Sequence, residues 1–402
     1  MGKRPPSMKQ RVKDRSEVQQ PREKKKPAPV SVPEDAQPPT APEPSTVILP
    51  PALQQKILTV FSRAFDPVLS SPSFPTVLQE VKQALFNRDF AAAFGAEVRL
   101  EAYAARWSPT RALCYASVLI GLEEALRDIA ATDAPSLRVA GKGPHDDEAI
   151  RQEPREDVRD EDGSDAPVKE PSELAVQNAK AQDSEKVLKV LAIGGGAAEL
   201  VAFGALVGHL PNLRGDVTLV DSAPWGAVVD KLETDLSTPL PLSKYAKSEA
   251  ARAASAAVVA PGRLRTTFLQ RDVLTLPAGE LAALVGPSPL LVTLLFTLNE
   301  LFTSGGIRAT TSLLLGLTAA LPAGSLLLVV DSPGSYSEAA VGRESKRYPM
   351  QWLMDKVLLG STDGAWAKVE SDDSVWFRLP DALRYPIPLE NMRYQMHLYR
   401  AT

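Results

Sequence analysis

Three consecutive glycines, Gly194, Gly195 and Gly196, separate an apolar run at residues 187–193 from a helical pattern at residues 197–207. Glycine allows the chain to turn tightly and lets the backbone approach a ligand without a Cβ atom in the way. The N-terminus of the following helix also offers free amide donors. The segment therefore predicts a strand, a turn that can cradle a ligand, and a helix, with a purely structural turn as the alternative.

A carboxylate closes the next strand pattern along the chain. Asp221 ends the apolar segment 216–221 and lies 25 residues after Gly196, about where nucleotide-binding α/β domains place an acid on the ribose hydroxyls. Asp272 follows the strand pattern 264–269 and is predicted to accept a hydrogen bond from an adenine amino group, with an exposed surface carboxylate as the alternative. Together the two acids indicate a nucleoside at the carboxyl edge of a parallel sheet.

The rest of residues 185–402 has the pattern of an α/β fold with a Rossmann-like parallel sheet. Residues 290–296 and 325–330 are almost continuously apolar, as buried central strands are. Helical spacing follows each of them, at residues 307–321 and 348–359. The segment therefore predicts alternating strands and helices.

The C-terminus breaks this alternation. Two strand-like segments, residues 374–379 and 392–400, have no convincing helix between them and predict an antiparallel hairpin. A parallel sheet closed by such a hairpin is the arrangement of class I methyltransferases, whereas nicotinamide dehydrogenases usually continue with a parallel strand. Glu199 also stands where a dinucleotide-binding turn has its last glycine. The pattern favours S-adenosylmethionine over a nicotinamide as the cofactor, and an oxidoreductase stays the less favoured alternative.

Two segments before this half are predicted to be disordered. Residues 1–50 form a basic and then Pro-rich tail, in which residues 1–26 carry ten Lys and Arg against three Asp and Glu, a net +7. So few apolar side chains cannot offset the entropy of folding. The tail can bind RNA, act as a nuclear address or only solubilise the chain. Residues 132–184 form an acidic insert of the same kind.

A small all-helical domain is predicted between these segments, over residues 51–131. Apolar side chains recur at three- and four-residue spacing from Leu53 to Phe65, as one buried helix face requires. The domain is expected to cover one side of the sheet, with a grip on substrate as the alternative. Further helices are expected, the last with Ser108 as its N-cap, at residues 74–86, 89–106 and 110–131.

The sequence offers little for a metal or a membrane. The single cysteine, Cys114, lies among apolar residues, and the three histidines are far apart, so we expect no metal site. No apolar run approaches the roughly 18 to 20 residues of a membrane helix, and the N-terminus is not an apolar signal sequence. We therefore expect an intracellular protein that does not insert into membranes.

Six short motifs follow one another along the chain: RWSPTRAL at residues 106–113, IGGGAAEL at 193–200, LVD at 219–221, LLFTLNELF at 294–302, YPMQWLMD at 348–355 and NMRYQ at 391–395. Together they resemble the fungal 25S ribosomal RNA uridine-N3 methyltransferases, which depend on S-adenosylmethionine, over about residues 51–402 without the acidic insert. The resemblance implies methylation of ring nitrogen 3 of a uridine, with large-subunit rRNA or a preribosome as partner. It also implies a nuclear or nucleolar protein, with the cytoplasm as the alternative location, and leaves the oligomeric state open.

The resemblance further implies roles around the bound nucleoside. Glu300 is the candidate to take the uracil N–H proton before or during attack, and Asn299 is the candidate to hydrogen-bond a uracil carbonyl edge. The alternative for both is a helix cap. A base turned out of the RNA needs aromatic stackers and phosphate contacts, although each candidate also suits ordinary packing or solvation: Tyr336, Tyr348, Trp352, Arg343, Lys346 and Arg347.

One position departs from the class I pattern. Ala192 stands where many methyltransferases have an acid at the end of the first strand, so Glu199 is predicted to take over the contact with the methionyl end of the cofactor. Two alternatives to the rRNA enzyme stay open. One is a methyltransferase of a small molecule or a protein, and the other is a nonenzymatic ribosome-assembly scaffold.

Overall fold

The computed structural model describes residues 49–132, 185–242, 248–334, 338–341 and 346–402. Nearly all of the predicted tail and insert, together with Tyr336, Arg343 and the side chains of Lys346 and Arg347, lie outside the described residues. The described part belongs to one compact unit, Ser45–Thr402. Within it, no helix is both long and apolar enough to cross a bilayer. The same ranges contain no group of three or more His, Cys, Asp and Glu able to hold a metal ion.

The described residues form ten strands. They are β1 Ala131–Thr132, β2 Lys186–Ile193, β3 Leu213–Asp221, β4 Leu264–Gln270, β5 Leu291–Leu295, β6 Leu326–Asp331, a separate pair β7 Glu338–Val341 and β8 Lys346–Pro349, β9 Trp366–Phe377 and β10 Met392–Ala401.

Eight of these strands form one mixed sheet in the order β4–β3–β2–β5–β6–β10–β9, with β1 paired to the start of β2. Strands β2 to β6 of this sheet run parallel, and β10 lies antiparallel between β6 and β9. This order and the antiparallel hairpin confirm the predicted class I methyltransferase fold.

Helices cover both faces of the sheet. A 3-10 turn at Val273–Thr275 and a π-helical turn at Leu301–Gly305 add to them. The helices are α1 Pro51–Ala64, α2 Asp66–Leu69, α3 Phe74–Phe86, α4 Phe90–Phe94, α5 Glu97–Arg106, α6 Ser108–Gly121, α7 Glu123–Ile129, α8 Ala197–His209, α9 Gly226–Ser237, α10 Glu249–Ser255, α11 Ala278–Val285, α12 Leu298–Glu300, α13 Gly306–Ala320 and α14 Met350–Leu358.

The helical region 51–131 packs as a layer on the sheet. Side chains of α6 such as Leu113 share one hydrophobic core with Leu188 of β2 and Phe203 of α8, so the helices cover one face of the sheet. The predicted N-cap role of Ser108 is wrong, because this residue lies inside α6 and Trp107, without a side-chain cap hydrogen bond, precedes it. The region and the sheet therefore share one core, and the predicted boundary between two domains stays a sequence-based division.

The parallel strands bring the predicted site residues to one edge. Every residue of β5 and β6 is buried, because central strands with helices on both faces contact no solvent. Strand β2 ends just before Gly194, β3 ends at Asp221 and β6 ends at Asp331. Since parallel strands end at the same side of a sheet, the glycine turn and these acids meet at its carboxyl edge.

Candidate active site

A cavity of about 350 Å³ opens at the carboxyl ends of β2, β3 and β5. Small-molecule sites typically measure roughly 300 to 1,000 Å³. A Cβ atom on Gly195, which does not line the cavity, would press on the side chains of Ala192 and Leu219, so its small size serves packing beneath the turn. Five of the six predicted cofactor residues line the cavity: Gly194, Gly196, Glu199, Asp221 and Asp272.

The glycine turn is fixed by its neighbours as well as by its own conformation. Gly194 has a φ of 69°, in the left-handed region that side chains with a Cβ atom rarely adopt. A Cβ atom there would also collide with the side chain of Thr297, and one on Gly196 would lie 3.0 Å from the Trp225 ring. The two glycines thus keep the turn close to β5 and to the tryptophan that lines the cavity.

Asp221 is held at the end of β3 with its carboxylate at the cavity. Its Oδ1 accepts a hydrogen bond of 2.7 Å from the backbone N–H of Ala223. Burial raises the pKa of Asp221 to about 6, although the backbone donors of Ala223 and Ser222 oppose the rise. A carboxylate so placed can accept hydrogen bonds from a vicinal diol, such as that of a ribose.

Glu199 performs two tasks in the first turn of α8. Its Oε2 accepts a hydrogen bond of 2.9 Å from the backbone N–H of Gly196, which caps the helix. Burial raises the pKa of Glu199 to about 7, while backbone hydrogen bonds and Arg111 lower it. The side chain also lines the cavity, next to the turn that follows the buried Ala192. Its contact with the cofactor stays a prediction.

A cation from the helical region, Arg111, lines the cavity. The Arg111 guanidinium is 4.7 Å from the centroid of the Phe296 ring and 5.6 Å from that of Tyr103, and it donates a hydrogen bond to the Tyr103 hydroxyl. Burial opposes its charge, but Tyr103, Tyr115, Glu300 and Glu199 raise the pKa of Arg111 above its ordinary value. The site therefore contains a permanent positive charge beside its carboxylates.

Glu300 faces the same cavity. Burial raises the pKa of Glu300 to about 7, Arg111 lowers it, and the charges of Asp331 and Asp221 raise it further. A carboxylate with such a pKa is suited to accept and release a proton near neutrality. The prediction that Glu300 is the proton acceptor is untested by this geometry, but the side chain lies where a substrate can reach it.

The position of Asn299 differs from that of Glu300, the next residue in the chain. Its backbone N–H donates a 3.0 Å hydrogen bond to Oδ2 of Asp331, whose Oδ1 accepts from the backbone N–H of Ser332 at 2.8 Å. Thr297 and Glu300 line the cavity and Asn299 does not. The bond to Asp331 uses the Asn299 backbone and shows no cap made by its side chain, so a contact between Asn299 and the base stays a prediction.

Aromatic side chains cover the cavity from the helical side. The Phe94 and Tyr103 rings meet edge to face at 5.0 Å, and Trp225 lies 6.0 Å from both. With Phe90 they line the cavity. Sequence reasoning assigned none of these residues, nor Arg111, to the site, because their approach to β2 and β5 is set by packing between distant segments. The only local signal was the RWSPTRAL motif, which places an arginine within a largely apolar helix.

Of the predicted RNA contacts, the structure describes the side chains of Tyr348 and Trp352. Tyr348 and Trp352 stack on each other, with ring centroids 4.8 Å apart and planes 18° apart, and neither lines the cavity. Trp352 is largely exposed. Tyr336 and the side chain of Arg347 are outside the described residues. The RNA contacts therefore stay predictions.

The residues that line the cavity fit S-adenosylmethionine. Asp221 and Asp272 offer acceptors for ribose hydroxyls and an adenine amino group, and the glycine turn leaves room that a Cβ atom would fill. The aromatic side chains offer faces that would attract a positively charged sulfur.

Comparisons with known proteins agree with this chemistry. A family model described as "Putative SAM-dependent methyltransferase" matches residues 61–400. The 25S rRNA (uridine(2843)-N(3))-methyltransferase of Saccharomyces cerevisiae is 30% identical over 349 residues, which cover 80% of this chain and 76% of the yeast protein.

Solved structures with similarity include the N-methyltransferase NodS of Bradyrhizobium japonicum bound to S-adenosyl-L-homocysteine. It is 12% identical with a TM-score of 0.28, over 53% of this chain and 78% of that one. The 16S rRNA (adenine(1408)-N(1))-methyltransferase of Catenulisporales acidiphilia is 15% identical with a TM-score of 0.32, over 60% and 97%. At such scores the fold assignment rests on the strand order alone.

Proposed function

The chain belongs to a family of S-adenosylmethionine-dependent methyltransferases, and from this premise we propose that it methylates ring nitrogen 3 of a uridine in large-subunit rRNA. The observation that carries the proposal is the 30% identity, over 80% of this chain, with the yeast rRNA uridine-N3 methyltransferase. The cavity supports it, because Glu300 lies there with a pKa of about 7. A preribosome is the alternative form of the substrate, and a nuclear or nucleolar location follows from either.

Methyl transfer needs an acceptor nitrogen in line with the methyl carbon, so positioning and exclusion of water supply most of the acceleration. S-adenosylmethionine, when bound, supplies an electrophilic methyl group. Asp221 and Asp272 would hold its ribose and adenine, and Glu199 and the glycine turn would hold the methionyl end. Phe94, Tyr103 and Trp225 line the cavity and would shield a bound methyl group from water.

Residues at the cavity would also accept the proton of the uracil N–H and balance the charge that its loss leaves on the ring. The uracil N–H must lose its proton, and Glu300 is the cavity carboxylate proposed to take it. Arg111 then balances the negative charge left on the ring, since a buried guanidinium stabilises an anion without solvent reorganisation. An Asn299 contact with a uracil carbonyl would fix the orientation of the ring.

The proposal predicts an acid limb in the pH profile of turnover. Burial raises the pKa of Glu300 to about 7, and only the ionised form accepts a proton, so kcat should fall as pH drops through 7, by about tenfold per unit. Initial rates at saturating cofactor and RNA measure this. Glu300→Gln should be slow and have no such limb, whereas Glu280→Gln, exposed on α11, should keep it. A limb that persists in Glu300→Gln would assign the proton to another group.

The substrate assignment is tested by labelling. The purified full chain is incubated with S-adenosylmethionine carrying a labelled methyl group and with rRNA from yeast that lacks the homologous enzyme. Nucleoside mass spectrometry should then find labelled 3-methyluridine in 25S rRNA. Label in another nucleoside, or in protein only, would contradict the proposal. Isothermal titration without cofactor binding by the folded protein would favour the nonenzymatic scaffold.

A further inference from the structure

Three exposed side chains form an aromatic and basic patch at the end of the β9–β10 hairpin, here called the tryptophan–arginine patch: Trp376, Arg378 and Arg393. Trp376 is 50% exposed although it is a large aromatic side chain. The guanidinium carbons of Arg378 and Arg393 lie 5.6 and 5.8 Å from the centroid of its ring. The exposed ring thus has two guanidinium groups within 6 Å of its centroid, an arrangement that no step of the proposed methyl transfer uses.

Strand register places the patch at the edge of the sheet that contains the cavity. Arg393 pairs with Trp376, and Gln395 pairs with Asp331 at the end of β6. Because β10 is antiparallel to β6, Arg393 lies beyond the carboxyl end of β6. Trp376 is two strands away from Asp331 across the sheet and two residues further along the strand direction. With ordinary strand geometry, the two backbones are therefore about 12 Å apart. Asp331 in turn holds the turn that contains Glu300.

A second exposed tryptophan lies on the same face of the sheet. Cross-strand partners share a face, so Trp376 and Arg393 lie on the face of β10 that includes Tyr399. The Tyr399 hydroxyl donates a hydrogen bond to Asp355 of α14, which places that helix on this face. Trp352 stands in the first turn of α14 and is 49% exposed. The face therefore presents two aromatic rings to solvent.

The charges of the patch favour a polyanion. In the part of the chain that the structure describes, neither Arg378 nor Arg393 forms a salt bridge, and Arg393 Nε donates to the Ser374 hydroxyl. Asp372 and Asp373 lie on β9 at least three residues before Trp376, about 10 Å along the strand. These acids repel a phosphate backbone, so a bound polyanion would lie on the patch rather than along β9.

We propose that the tryptophan–arginine patch binds single-stranded RNA beside the target nucleotide, with Trp376 stacked on a base and the two arginines on phosphates. Aromatic stacking combined with guanidinium contacts is how proteins bind single strands without reading sequence. A protein partner would need a contiguous apolar surface, whereas the patch is one ring flanked by cations. The inference rests on the proposed function, which makes rRNA the substrate class, and adds a binding surface outside the catalytic cavity.

The test measures RNA affinity without catalysis. Fluorescence anisotropy follows a labelled oligouridylate bound to the full chain in the absence of cofactor. Trp376→Ala should weaken binding by about tenfold, and Trp376→Phe, which keeps a stacking ring, by much less. Arg378→Ala and Arg393→Ala should each lower the slope of log affinity against log salt by about 0.7, the value for one phosphate on a single strand.

Matched controls and a second substrate make the outcome decisive. Phe86→Ala removes a ring that is 84% exposed on α3, and Arg265→Ala removes an exposed arginine from β4 at the opposite edge of the sheet; both should bind like the wild type. Affinity of Trp376→Ala within twofold of wild type would overturn the proposal. If Trp376→Ala bound oligouridylate like the wild type but no longer methylated preribosomal particles, the patch would be assigned to a protein partner instead. Because the anisotropy measurement involves no methyl transfer, its result does not depend on the outcome of the rRNA labelling test.

Discussion

An Asp221→Ala protein is expected to bind S-adenosylmethionine about a hundredfold more weakly than the wild type, or worse. The buried carboxylate at the end of β3 lines the cavity, where it can accept hydrogen bonds from both ribose hydroxyls. Hydrogen bonds to a charged group contribute roughly 1.5 to 3 kcal/mol each, and two of them correspond to more than a hundredfold in affinity. Isothermal titration with S-adenosylmethionine and with S-adenosylhomocysteine measures the loss.

Two further variants separate the ribose contact from damage to the fold. Asp221 also accepts a hydrogen bond from the Ala223 N–H, so the thermal stability of each variant must be recorded. Asp221→Asn keeps a carbonyl acceptor without the charge and should lie between wild type and Asp221→Ala. Asp216→Ala, on the same strand but away from the cavity, should bind normally. If Asp221→Ala binds within twofold of wild type, the nucleoside is held elsewhere.

Elements with local sequence signals were predicted well. The strand before Gly194 and the buried β5 and β6 follow from continuous apolar runs, and the resemblance to the fungal rRNA enzymes is confirmed by the identity with the yeast protein. The antiparallel C-terminal hairpin was predicted, but its first strand, β9, begins at Trp366 rather than at residue 374. The start was missed because an edge strand with polar residues such as Glu370 lacks a clear alternation.

Features set by distant contacts could not be predicted in the same way. The expected helix 89–106 is divided into α4 and α5 at Gly95. The helices α9, α10 and α11 were not predicted. The cavity wall itself depends on Arg111, which comes from α6 and meets Phe296 only in the folded chain. Local sequence patterns identified the glycine turn and Asp221, and the structure added the cation and the aromatic cover.

Arg111 is expected to have a large effect on turnover. Arg111→Ala should lower turnover at neutral pH by about a hundredfold, because removal of one preorganised group that stabilises an anion typically costs 10² to 10³ in rate. Arg111 also lowers the pKa of Glu300, while Asp331 and Asp221 raise it. Without the guanidinium, the pKa of Glu300 should rise further above 7, and the acid limb of kcat should move to higher pH. A pH series at saturating substrates measures both changes.

The direction of the pH shift distinguishes an electrostatic role for Arg111 from a structural one. Tyr103→Phe removes the hydroxyl that accepts the Arg111 hydrogen bond but keeps the charge, so it should leave the acid limb in place. Arg111→Lys keeps a charge without the planar group that lies over Phe296 and should retain most of the limb position with intermediate turnover. If Arg111→Ala lost activity and thermal stability together but left the limb at its wild-type pH, the guanidinium would only support packing of α6. Arg111 comes from the helical layer and lies near the acids at the sheet edge. A shift of the acid limb in Arg111→Ala would therefore mean that the helices covering the sheet also complete the active site.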